Sequence, residues 1–192
     1  MRMTEEQYAA ILAKQGQKSA LITASPKEKA QAKSRAEVAW NSISASKIII
    51  HNEPNLRFGV GFVGARILSL NELLRSDLRV INKYRRVWHD HCLLACYQAF
   101  GSRILPIQSA VRLTLVRRGK NLVDNDGLAA AFKFAIDGFK EAGLIADDNP
   151  TIVKTIRLNQ SKGPYASALL FEAETAPEAP ELINLLIEQE QS

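Results

Sequence analysis

VDNDGLAAAFKFAIDGFKEAGLIADDNPTIVKT, residues 123–155 of a 192-residue chain, decides how the rest is read. From Gly127 to Ala142, Leu128, Phe132, Ala135 or Ile136, and Phe139 recur at three- and four-residue steps, the period of an amphipathic helix. Asp126 is placed as the N-cap of this helix and Gly143 as its C-terminal stop. Asp126, Lys133 and Asp137 then fall close to whole turns of ~3.6 residues and share the polar side. A second acidic pair, Asp147 and Asp148, follows just beyond the helix end. If the next strand packs back beside the helix start, this pair approaches Asp124 and Asp126. Several carboxylates with no His or Cys among them describe a site for a hard cation such as Mg2+, with Mn2+ as the alternative. The same residues also have a plain structural reading. An Asp before a helix is ordinarily a cap, and DDNP after a glycine stop is ordinarily a turn.

The length suits one domain with extensions. Formal net charge is +5, but its distribution is uneven. Arg57 to Leu170 holds 17 basic and 9 acidic residues, whereas Phe171 to Ser192 holds six Glu and no basic residue. A basic middle points to a polyanionic partner. Cys92 and Cys96, four residues apart within a helical pattern, read as core packing in a reducing compartment. His89, His91 and Cys92 lack a second ligand pair, and His51 is the only other His, so a zinc site is not supported. Neither a signal-peptide pattern nor an apolar run approaching ~20 residues is present, so a cytoplasmic protein with no membrane partner is expected.

Outward from the central stretch, Met1 to Lys47 reads as a short helix (TEEQYAAILAKQG) followed by a flexible arm rich in Ala, Ser and Lys. Trp40 is the one large anchor of that arm. Arg57 to Leu68 reads as a strand in which Gly59, Gly61 and Gly64 allow close approach. These form a literal Gly-x-Gly-x-x-Gly, but no helix opens at Gly64, which excludes the dinucleotide-binding context. Asn71 to Phe100 reads as a long helix with a break near Leu78 and a basic cluster of Arg75, Arg79, Lys83, Arg85 and Arg86. Gln108 to Val116 alternates as a strand and leads into Arg117, Arg118 and Lys120, cations suited to gripping phosphate. Thr151 to Leu158 and Tyr165 to Phe171 are two further strands, expected to form a hairpin with Lys162 at its tip. The tail ends in a short amphipathic helix whose Leu182, Leu185 and Leu186 are available to pack on the body or on a second subunit. The expected fold is α+β: a small mixed sheet in the order β-α-β-α-β-β, with two main helices packed on it.

The run DND-x6-KFAID-x5-G-x3-DD, followed by strand and hairpin, resembles the RusA family of Holliday-junction resolvases, in particular its phage and prophage members. The resemblance covers roughly Ser69 to Glu174. Ser69 and Asn71 stand where such proteins have Ser-x-Asn. The division it implies is an arm over 1–47, a nuclease domain over 48–174 and an acidic tail over 175–192. It implies a homodimeric, Mg2+-dependent endonuclease that cuts four-way DNA junctions. Asp124 and Asp126 match the family's first two metal-binding aspartates, and Asp148 matches the essential, catalytic member of its DD pair. Lys133 is the nearest match to the helix lysine used at the scissile phosphate or for DNA binding. There are two departures. Gly127 replaces the usual Asn, and Lys133 comes one turn later than the family pattern, with Ala130 in the earlier turn.

Under that resemblance Arg85, Arg86, Arg117, Arg118, Lys120 and Lys133 are the expected DNA-binding residues. Asp124, Asp126 and Asp148 are expected to converge within about 4–8 Å around an ion. The competing reading is a non-catalytic DNA-binding dimer in which the aspartates are caps and turns.

Overall fold

In the computed structural model, residues 26–188 are described except 103, 105, 106, 108 and 178. The helical pattern expected near the N-terminus lies outside the described residues, as does Pro106. The elements in chain order are α1 (Pro26–Ser44), β1 (Lys47–Glu53), β2 (Arg57–Val63), α2 (Leu70–Leu74), α3 (Leu78–Phe100), β3 (Val111–Gly119), α4 (Asn125–Ala131), α5 (Lys133–Glu141), β4 (Val153–Lys162), β5 (Ala166–Ala173) and α6 (Pro180–Glu188). Five strands form one mixed sheet in the order β1-β2-β5-β3-β4. The chain is therefore α+β, as its sequence pattern implies. No helix among the described residues is long and apolar enough to cross a membrane.

The segment expected to be a flexible arm up to Lys47 instead contributes a helix to the core. Ala36, Ala39, Trp40 and Ile43 of α1 are buried, at the three- and four-residue steps that give a helix one apolar face. Alanine is the best helix former and its small side chain lets α1 lie close on α3, so a composition that looked like a tether is a packing surface. Lys83 of α3 lies 4.0 Å over the Trp40 ring, closing the edge of this contact. The first strand is also preceded by another. KIIIHNE, rich in β-branched residues, forms β1 and pairs antiparallel with β2 across a turn in which Asn55 adopts φ 64°.

The largest topological difference concerns β4 and β5. They do not form a hairpin. Both pair with β3, β4 in parallel and β5 antiparallel, so the chain crosses over the end of β3 between them. At this crossing Gly163 N–H donates to Gly119 O (3.1 Å). A Cβ on Gly163 would lie 2.7 Å from Arg118 Cδ, so the crossing needs glycine. The central residues of β3 are buried, which fits a strand with a neighbour on each side.

One face of the sheet carries the main core, built from Phe58, Phe62, Leu113, Leu115 and Phe171 against Tyr84, Trp88, Phe132 and Phe139 of the helices. On the opposite face α6 covers part of the sheet through Leu186 and Ile187. The glycines of β2 are explained here. A Cβ at Gly61 would lie 1.9 Å from Leu186 O, and one at Gly59 would lie 2.8 Å from Leu186 Cδ1. They form a platform for α6. The path into α6 is tied down by buried Glu172, which accepts from Arg57 Nε (3.3 Å) and Arg112 Nε (3.2 Å). Arg112 also donates to Ala176 O (3.0 Å) and Arg57 to Pro177 O.

The expected break near Leu78 is present. Asp77 caps α3 by accepting from Val80 N–H (2.9 Å), and Ser69 and Glu72 form a reciprocal capping box on α2. The helix expected over Gly127–Ala142 is two helices, divided at Phe132, with Gly143 (φ 80°) as the stop. Phe132 turns fully into the core at this division.

Candidate functional site

At the start of α4 the cap is Asp124, not Asp126. Asp124 Oδ1 accepts the N–H of Gly127 (2.8 Å), two residues earlier in the helix than the alternation suggested. A Cβ on Gly127 would sit 2.2 Å from that oxygen, so the cap itself favours glycine at this position. Asp126 lies in the first turn and is exposed. The loop ahead of it is clamped to β4, with Val123 N–H donating to Gln160 Oε1 (2.9 Å) and Gln160 Nε2 donating to Val123 O (2.6 Å).

The second acidic pair meets lysines. Lys133, at the start of α5, donates to Asp148 Oδ2 (2.6 Å) and pairs with Asp137 Oδ1 (2.8 Å) one turn along. Lys140 donates to Asp147 and to Asp148 Oδ1 (3.1 Å). The turn is tightened by Asp148 N–H on Asp147 Oδ1 (2.9 Å) and by Asn149, whose Oδ1 accepts from Thr151 N–H (2.9 Å). Hydrogen bonds from Lys133, and then from Lys140, hold the Asp148 carboxyl well below the ordinary range although partial desolvation opposes them. Lys140 does the same, more weakly, for Asp147, and is itself raised chiefly by its bond to Asp147. Burial works against the Lys133 ammonium, but its bonds to Asp137 and Asp148 raise it overall.

The structure thus brings Lys133 to Asp148, but it does not gather Asp124, Asp126 and Asp148 into one ligand set. Among the described residues no group of three or more His, Cys, Asp or Glu side chains could hold a metal ion. Asp124 has given an oxygen to the helix start and Asp148 has both of its oxygens on ammonium groups. In this arrangement the donor set does not fit a divalent cation.

The expected DNA-binding cations separate into two kinds. Arg85, Arg86, Lys120 and Lys133 are exposed. Arg117 is buried; its Nη1 donates to Asn121 O (2.8 Å) and desolvation lowers its pKa, so it braces the turn after β3 instead of facing solvent. Arg118 is half-buried beside Gly163. Lys140 is a member of the cluster that the sequence reading passed over, although it lies seven residues after Lys133 and so on the same helix side. Cys92 donates from Sγ to Ala135 O (3.4 Å) in the core, which agrees with a packing role.

No family model, no curated protein and no solved structure matches this chain.

Proposed function

We propose that the chain is a structure-selective DNA endonuclease of the RusA kind, hydrolysing phosphodiester bonds in four-way junctions. The observation that supports this reading best is the solvent-accessible cluster at α5, where Lys133 meets Asp148 across 15 residues of sequence at 2.6 Å. The resemblance gives Asp148 as the essential member of the DD pair and Lys133 as the lysine used near the scissile phosphate or for DNA binding. An ammonium held there stabilises negative charge developing on a phosphoryl oxygen, and the neighbouring carboxylates can orient a water. The reading carries Mg2+ from the resemblance; Asp124, Asp126 and Asp148 would hold the ion only in an arrangement that draws them together, which the folded chain here does not adopt. A homodimer supplies two such sites for two symmetric cuts. Leu93, Leu94 and Tyr97 of α3, at 52%, 42% and 60% exposure, offer an apolar surface for the pairing.

The separation of the acids favours a second reading, a non-catalytic DNA-binding dimer with Asp124 as a cap and Asp148 as a lysine anchor. Incubation of an end-labelled four-way junction with the chain, with and without Mg2+, separates the two. The endonuclease gives paired nicks only with the ion. A retarded but uncut junction under both conditions leaves only the binding protein.

A further inference from the structure

We infer that the seam between α3 and α5 is a binding site for one phosphate of a nucleic-acid backbone, gripped by Arg85, Arg86 and Asn82 above a His89–Glu141 pair. It rests on the reading of the chain as a DNA-acting protein and adds to it a contact separate from the Lys133–Asp148 cluster.

A depression of about 350 Å³ opens here, lined by Asn82, Arg85, Arg86, His89 and Glu141. Asn82 and His89 each stand three or four residues from both Arg85 and Arg86, so α3 presents the four on one side. Among the described residues neither Arg85 nor Arg86 forms an ion pair, whereas Arg57, Arg66 and Arg112 are all matched to carboxylates. Arg85 is held in place without being neutralised: its guanidinium carbon lies 5.3 Å from the centre of the Phe134 ring. The one acid of the lining, Glu141, is engaged by His89 Nδ1 at 2.5 Å. The hollow is therefore lined by two guanidinium groups, an amide and the Glu141 carboxylate bonded to His89, and the fork of each guanidinium suits the two non-bridging oxygens of a phosphodiester.

The residues of the lining are all polar or charged, which suits recognition of a charged group. Position selects the nucleic-acid backbone over a free anion. Lys133 and Glu141 bound α5, eight residues and thus ~12 Å apart at ~1.5 Å per residue. That is the rise of three to four base pairs at ~3.4 Å each along a duplex axis. A strand lying on Lys133 therefore reaches the depression a few nucleotides away.

The test is fluorescence anisotropy of a labelled four-way junction with the full chain in EDTA, where binding is read without cleavage. Replacing both arginines (R85Q/R86Q, which keeps polar stems against Phe134) should weaken binding at least ~10-fold at low salt and flatten the plot of log affinity against log salt by about 1 to 2. R35A/K47A removes two exposed cations from α1 and β1 and should leave the slope unchanged. An unaltered slope in R85Q/R86Q, or equal weakening in the control, overturns the site while leaving the proposed function standing. Failure of the unaltered chain to bind any DNA overturns both. Displacement by inorganic phosphate beyond chloride of matched ionic strength reassigns the hollow to free phosphate and overturns the backbone assignment. If circular dichroism shows R85Q/R86Q unfolded, R86Q alone carries the test, with an expected flattening of about 1.

Discussion

The two acidic pairs that bracket α4 and α5 have the same chemistry and opposite fates. Asp124 gives an oxygen to a backbone N–H three residues away, so its role is written locally and is complete as soon as the helix starts. Asp148 gives both oxygens to lysines 15 and 8 residues earlier in the chain, so its role exists only once the loop has folded back on α5. A carboxylate at a helix start stabilises by hydrogen bonding and the helix dipole. One between two ammonium groups on an open surface contributes little to stability.

This contrast is open to test, and the largest effect should be on activity. With Mg2+ present, Asp148→Asn should lower junction cleavage by more than about 100-fold while preserving junction binding, because it removes the acid facing Lys133 and leaves the fold intact. Cleavage at the unaltered rate would make the cluster structural. Asp126→Asn is expected to lose cutting with binding intact or tighter, since it also removes a negative charge near phosphates.

At the other pair the effect should be on stability. Gly127→Ala would ordinarily gain about 0.5–1 kcal/mol in a helix. Here it should cost about 1–3 kcal/mol, because the new Cβ overlaps the capping oxygen of Asp124. Urea denaturation gives the sign directly, and a stabilised variant would refute the cap geometry. Asp124→Ala should lower stability by about 1 kcal/mol through loss of the cap. Asp126→Ala, without such a bond, should fall within about 0.5 kcal/mol of the unaltered chain.

The smallest effect is the pH dependence of the lysine-held pair. Because the Asp147 and Asp148 carboxyls are held down in the folded state, their contribution is complete above the unfolded carboxylate value of ~3.9 and is lost as pH falls below it. The difference in urea midpoint between the unaltered chain and D147N/D148N should therefore shrink from pH 6 to pH 3. A difference that holds constant across that range would mean that the lysines do not engage the pair.

Local pattern was sufficient for much of the molecule. The period of Leu128, Phe132, Ile136 and Phe139, the stop at Gly143, the break before Leu78 and the alternation of β3 all follow from interactions spanning a few residues, which is why they are legible without coordinates. Even there, the alternation could not choose between Asp124 and Asp126 as the cap, since that choice depends on which oxygen reaches Gly127 N–H. What only the tertiary structure decided is every relation across the sheet. A single β3 accepts both β4 and β5, so two strands adjacent in sequence are not partners in space. Gly59 and Gly61 are small because Leu186 of α6, 125 residues after Gly61, lies on them. The alanines of α1 are buried because α3 offers a surface for them. Arg117, indistinguishable in sequence from Arg118, is drawn inside because successive side chains of a strand point to opposite faces and its face is the covered one. Hydrogen bonding and side-chain period act over one or two turns and are therefore written in the sequence, whereas burial and ion pairing depend on which distant segment arrives, and only the packed chain determines that.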